Sequence, residues 1–148
     1  MVDGPQQLLR PLAHECLAHP AGLALSADQN VVYVAETMAN RVLRFAQSPV
    51  GVYHMSVFHQ FSGMLGPTAL ACDPKTGNLY VARFDFKECA EVGCIVVLSP
   101  KGEVLRELAV PAPEVTGVVI EPNKDTGGVT LLVTEATTGG LYRIADTA

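Results

Sequence analysis

Pro20-Ala21-Gly22-Leu23-Ala24-Leu25-Ser26, a polar turn, and then Val32-Tyr33-Val34-Ala35-Glu36 form a unit that the chain writes three times. The second writing is Pro67-Thr68-Ala69-Leu70-Ala71-Cys72-Asp73, a turn, and Leu79-Tyr80-Val81-Ala82-Arg83. The third is Val115-Thr116-Gly117-Val118-Val119-Ile120-Glu121, a turn, and Leu131-Leu132-Val133-Thr134-Glu135. Gly22, Ala69 and Gly117 mark a period of about 47 residues. A repeat of that length built from short β-branched and aromatic strands is the signature of a β-propeller blade. Propellers close with about 4–8 blades, so three blades make half a ring. The expected architecture is all-β: a three-bladed half of a six-bladed β-propeller, its ring closed by homodimerisation.

Each unit divides into strands. In the first, 21–26 is the innermost strand, 31–36 the second, Arg41-Val42-Leu43-Arg44-Phe45 the third, and Val52 to Phe58 the fourth. Turn formers separate them, as in Ser26-Ala27-Asp28-Gln29-Asn30. The second unit has Asp73-Pro74-Lys75-Thr76-Gly77-Asn78 as its first turn, Cys94 to Leu98 as third strand and Glu103 to Leu108 as fourth. The third ends with Gly140-Leu141-Tyr142-Arg143-Ile144, its third strand. Residues 1–148 therefore read as one half-propeller domain, with blade 1 over 18–61, blade 2 over 64–111 and blade 3 over 113–148. The segment 6–17 belongs to none of them and reads as an orphan outer strand, expected to complete the partner's last blade and cover its edge.

Composition agrees with a chain that buries surface against a partner. It is 49% hydrophobic and 17% charged, against roughly 25% charged in an ordinary soluble domain. The net charge is −5 and the basic residues are scattered, which favours neither nucleic acid nor an anionic membrane. No apolar run approaches the roughly 20 residues of a membrane span. The first residues, Met1 to Gln7, lack a basic start and an apolar stretch, so the expected location is cytoplasmic. Cys16, Cys72, Cys89 and Cys94 are then expected to be reduced. Cys89 and Cys94 are near enough in sequence to bridge a loop, but the compartment favours free thiols.

The blade motifs carry a resemblance. Pro20 to Asp28, Val32 to Thr37 and Asn40-Arg41-Val42-Leu43-Arg44-Phe45 resemble blades of the regucalcin/gluconolactonase (SMP-30/gluconolactonase/LRE-like) family, a pattern shared with strictosidine-synthase-like proteins. Gly77 to Phe84 with Val96 to Val104 resembles the next blade, and Val133 to Ala136 with Gly139 to Ile144 the last. The resemblance covers about residues 17–145 and matches the C-terminal three of six blades. It implies a small-molecule site in the central channel. In the lactonase branch it implies a divalent cation such as calcium and hydrolysis of lactones or esters. That cation takes an Asn from a Pro-Asn-Gly turn and an Asp from a Pro-Asp-Gly turn; this chain has Ala21 and Thr68 there. The family's N-terminal Glu ligand lies in blades outside this sequence, so no metal ligand carries over. In the strictosidine-synthase-like branch a glutamate acts as acid/base without metal, and it matches no particular position here.

On a propeller, the loops entering the innermost strands and those between second and third strands open on one face. That face is expected to carry His19, Thr68, Thr116, Glu36, Asn40, Arg83, Asp85 and Glu135. Glu36, Arg83 and Glu135 end the three second strands. Two carboxylates and a guanidinium near one pocket suit acid/base work or a polar ligand; the competing reading is structural ion pairs. As an enzyme, the chain would use Glu36, Glu135 and His19 as catalytic groups, with Arg83, Asp85, Asn40, Thr68 and Thr116 binding the ligand. As a non-catalytic ligand-binding or scaffold propeller, it would keep the ring without the chemistry. His14, Cys16 and His19 match no zinc spacing. No Gly-x-Ser-x-Gly turn, phosphate loop or Cys/His protease pair is present.

Overall fold

The computed structural model describes residues 10–86, 90–122 and 128–147. Eleven strands and no helix occur among them. β1 (Pro20–Leu25), β2 (Val31–Glu36), β3 (Arg41–Gln47) and β4 (Tyr53–Gln60) form one antiparallel sheet in chain order. β5 (Leu65–Cys72), β6 (Leu79–Asp85), β7 (Gly93–Leu98) and β8 (Val104–Val110) form the second. β9 (Val115–Pro122), β10 (Val129–Glu135) and β11 (Gly140–Asp146) form the third, with three strands among the described residues. These are three propeller blades.

The first strands stand side by side, β1 against β5 and β5 against β9, so they form the inner wall. The blades pack face to face. Tyr33, Ala35 and Val42 of blade 1 meet Leu70, Val81 and Val96 of blade 2. Tyr80, Ala82 and Ile95 of blade 2 meet Val118, Leu131 and Val133 of blade 3. Strand alternation supplies both faces: successive side chains point to opposite sides of a blade, and in the middle blade both sides are covered. Hence β6 and β7 read as nearly continuous apolar runs.

Gly22 marks the period for a physical reason. A Cβ there would lie 2.7 Å from Ala69 Cα and 2.7 Å from the Thr68 carbonyl oxygen, both backbone. The inner strands approach too closely for a side chain at that point.

The described part of the segment expected as an outer strand, residues 10–17, contains bends and no strand. Ala13 and Leu17 instead pack beside Val34, Leu43 and Phe45 on blade 1. Residues 6–9 of that segment lie outside the described residues. So does Cys89, and with it the loop-bridging pair; Cys16, Cys72 and Cys94 are free thiols. Burial pushes Cys94 up to about 11, so it stays protonated and unreactive at neutral pH. No helix among the described residues is long and apolar enough to cross a membrane.

Candidate functional site

Each inner strand carries a β-bulge at the same place. On β1 the register shifts between Pro20, opposite Glu36, and Leu23, opposite Val34. On β5 it shifts between Pro67, opposite Arg83, and Ala69, opposite Ala82. On β9 it shifts between Val115, opposite Glu135, and Gly117, opposite Thr134. The extra residues are Thr68 and Thr116, with Ala21 at the matching position of blade 1. A bulge re-aims its side chain out of the alternating set and is common beside functional sites. Ala21 and Thr116 are exposed and Thr68 is half-buried.

The hydroxyls at these bulges are partly committed. Thr68 Oγ1 donates to the Val115 carbonyl at 2.7 Å, tying blade 2 to blade 3. Thr116 Oγ1 bonds within its own blade, 3.3 Å from the Thr134 carbonyl and 3.1 Å from Thr134 Oγ1. Ala21 has no hydroxyl, and Thr37 takes over the corresponding link: its Oγ1 donates to the Pro67 carbonyl at 2.7 Å. Thr37 was invisible as a site residue in the sequence because its partner is a backbone carbonyl thirty residues away.

The second-strand ends, equivalent by repeat, do three different things. Glu36 is buried, accepts from the Ala18 amide at 2.7 Å, and is ion-paired with Arg41. Burial pushes its pKa up, but the Arg41 and Ala18 bonds outweigh that and leave it below the ordinary value. Glu135 is buried and accepts from the amides of Thr137 at 2.6 Å and Thr138 at 2.9 Å, and from the Thr138 hydroxyl at 2.7 Å. There too burial raises the pKa, and the bonds from Thr138 and Thr137 bring it down to about 2. A carboxylate accepting several hydrogen bonds is held ionised. Glu135 therefore closes the turn that follows its own strand, and Glu36 ties the segment entering blade 1 to the start of β3.

Arg83 works between blades. Its Nε donates to the Leu65 carbonyl at 3.1 Å, and a terminal nitrogen reaches the Ser62 carbonyl at 3.0 Å and Asn40 Oδ1 at 3.4 Å. The guanidinium lies 4.4 Å over the Phe61 ring. Burial lowers its pKa without threatening its charge. Of the expected site residues, the structure joins Arg83 to Asn40 directly. Asn40 has a positive φ of 53° and donates from Nδ2 to the Gly63 carbonyl at 3.1 Å; an Asn before a strand is a usual signal for that conformation. A cavity of about 240 Å³ opens beside it between blades 1 and 2, lined by Thr37, Met38, Met64 and Phe86. His19 is exposed at the entry to β1, its carbonyl accepting from the Thr37 amide at 3.1 Å. Asp85 is buried and accepts from the Ala90 amide at 2.6 Å.

The donor set does not fit a divalent cation. Hard cations take carboxylate and amide oxygens. Ala21 offers no donor atom, Thr68 offers a single neutral hydroxyl oxygen, and Glu36 and Glu135 are already engaged, Glu36 by Ala18 and Arg41 and Glu135 by Thr137 and Thr138. Among the described residues, no three His, Cys, Asp or Glu side chains gather as a metal-holding group.

Comparison with known proteins places this geometry. A family model for the SMP-30/gluconolactonase/LRE-like region matches residues 6–137. Lactonase drp35 of Staphylococcus aureus (strain bovine RF122 / ET3-1) is 32% identical over 94 residues, which covers 61% of this chain and 27% of that protein. The chain thus matches about a quarter of the length of such relatives. The crystal structure of regucalcin, a calcium-binding protein from Agrobacterium tumefaciens, superposes with a TM-score of 0.65 at 22% identity, covering 82% of this chain and 39% of that one. A gluconolactonase from Xanthomonas campestris gives a TM-score of 0.65 at 21% identity, covering 87% and 38%. At such identities the two structures speak for the propeller fold alone.

Proposed function

This chain belongs to the SMP-30/gluconolactonase/LRE-like family, and from that premise we propose that it binds a small, neutral, polar molecule of the sugar-lactone class in the central channel, without the cation-dependent hydrolysis of the lactonase branch. The observation that carries this reading is the pair of commitments described above. The bulged inner-strand positions bear a methyl group and two hydroxyls, and the second-strand carboxylates are already engaged. Hydroxyls suit a neutral polyol, for which they act as donor and acceptor. A general acid or base works best with a pKa near the working pH; Glu135, held at about 2, is far from it.

The test is thermal unfolding against a panel of sugar lactones and aldonic acids. A ligand that binds only the folded state raises the melting temperature, and Thr116→Val should remove that rise while leaving the unliganded melting temperature nearly unchanged. A panel with no shift for any lactone would overturn the reading.

A second reading, lactone or ester hydrolysis, is favoured by the likeness to lactonase drp35. It predicts acid release from a lactone in a pH-stat, lost in the Glu36→Gln and Glu135→Gln variants. Turnover that survives both substitutions would remove these carboxylates as catalytic groups.

A further inference from the structure

Three large apolar side chains stand on loops of one face, where turns ordinarily carry polar residues, glycine and proline. Met38 lies in the turn after β2, Met64 in the connection into β5, and Phe86 just past the end of β6. They are 71%, 55% and 50% exposed, and all three line the cavity of about 240 Å³ between blades 1 and 2. Both walls of this cavity belong to blades within the chain. Its shape is held by the seam beneath it, where Tyr33 and Val42 of blade 1 meet Leu70 and Val96 of blade 2.

The polar side chains around the cavity are spent on the protein itself. Thr37 donates its hydroxyl to the Pro67 carbonyl at 2.7 Å, and its Cγ2 methyl faces Gly66. Asn40 donates from Nδ2 to the Gly63 carbonyl at 3.1 Å, and its Oδ1 accepts from Arg83 at 3.4 Å. A Cβ at Gly66 would lie 2.9 Å from the Thr37 methyl and 3.0 Å from Phe86 Cε2, so only a glycine lets that methyl and that ring meet there. The Phe86 ring is braced by Phe84, with centroids 4.6 Å apart. A ligand group entering the cavity therefore meets a methyl, two thioether chains and an aromatic ring. Methionine adapts its shape to what packs on it. An apolar cavity of about 150 Å³ holds a benzene ring, so this one has room for a ring or a chain of similar size.

The cavity also adjoins the bulges. Gly66 precedes the bulged Thr68 by two residues on β5, roughly 7 Å of strand. The Thr37 hydroxyl is bonded to Pro67, the residue between them. We infer that this cavity is the specificity pocket of the channel site: it takes an apolar substituent, an alkyl chain or ring of about six carbons, on a lactone whose polar ring sits at the bulges. The inference rests on the reading of the channel as a lactone site and names the member of that class it selects. Apolar surface removed from water adds affinity in proportion to its area, and here that gain goes to a substituent rather than to the lactone ring. Met38, Met64 and Phe86 are the residues that set the preference.

The experiment is calorimetric titration with freshly dissolved gluconolactone and with its hexanoyl ester on the primary hydroxyl, repeated on the Met64→Asp and Met38→Asp variants. Both methionines are exposed, and circular dichroism checks that each variant keeps its sheet. The ester should bind the unsubstituted protein roughly tenfold tighter than the lactone, or more. In each variant the ratio of the two dissociation constants should fall toward one, because a carboxylate at the rim must lose water for the chain to enter. Equal binding of lactone and ester by the unsubstituted protein would overturn the inference and leave the channel reading standing. So would an advantage of the ester that survives both substitutions, since the chain would then lie elsewhere. Binding of neither compound would overturn the channel reading and this inference with it.

Discussion

Blades 1 and 3 end their second strands in carboxylates that serve their own blades, whereas blade 2 ends its second strand in an arginine that serves its neighbour. Glu36 and Glu135 are bound by groups within five residues or by the segment entering the same blade. Arg83 reaches carbonyls of the connection from blade 1, and the Asn40 side chain, across the blade boundary. One repeat position thus supports either the closing of a blade or the joining of two. Contacts that join blades should matter more, because they anchor two sheets and because their loss strands backbone carbonyls away from water.

Arg83→Ala breaks this comparison most severely. It removes the donors for the Leu65 and Ser62 carbonyls and the cover over Phe61. The expected cost is about 3 kcal/mol, seen as a lower urea midpoint with little change in slope. Arg83→Lys should recover only part of it, because an ammonium cannot span the same carbonyls as the planar fork.

Gly22→Ala comes next. The added methyl meets the backbone of β5 at 2.7 Å, and overpacking of this kind costs about 1–3 kcal/mol. The same substitution at Gly139, where a Cβ meets nothing within 4 Å, is strained only through its positive φ of 65° and should cost less.

The smallest effect belongs to the carboxylate that serves only its own turn. The pKa of Glu135 is depressed in the folded chain, so its contribution is complete above its ordinary value of 4.5 and is lost as pH falls toward about 2. Melting temperature should therefore decline through that interval, and Glu135→Gln should flatten the decline. An unchanged pH profile in Glu135→Gln would mean that other carboxylates dominate acid unfolding.

The blades were legible from the sequence because they rest on local information: alternation, turn residues and a period marked at Gly22, Ala69 and Gly117. The bulges were not, since a bulge is a matter of which backbone groups pair, and Thr68 resembles its neighbours until the register is known. Arg83 was visible as a charge at a repeat position, but its partners are carbonyls that carry no side-chain signature. Residues 6–17 read as an outer strand belonging to no blade of this chain, yet 10–17 bend, and Ala13 and Leu17 find their apolar contacts on blade 1.

The most direct test of the channel reading is thermal unfolding with calcium against unfolding with an excess of chelator. A cation held at 100 times its dissociation constant adds about 2.7 kcal/mol, roughly 5–10 °C for a chain of this size. With Ala21 and Thr68 at the bulges, the melting temperature should be the same in both conditions. A rise of several degrees in calcium would contradict the account and place a cation in the channel after all.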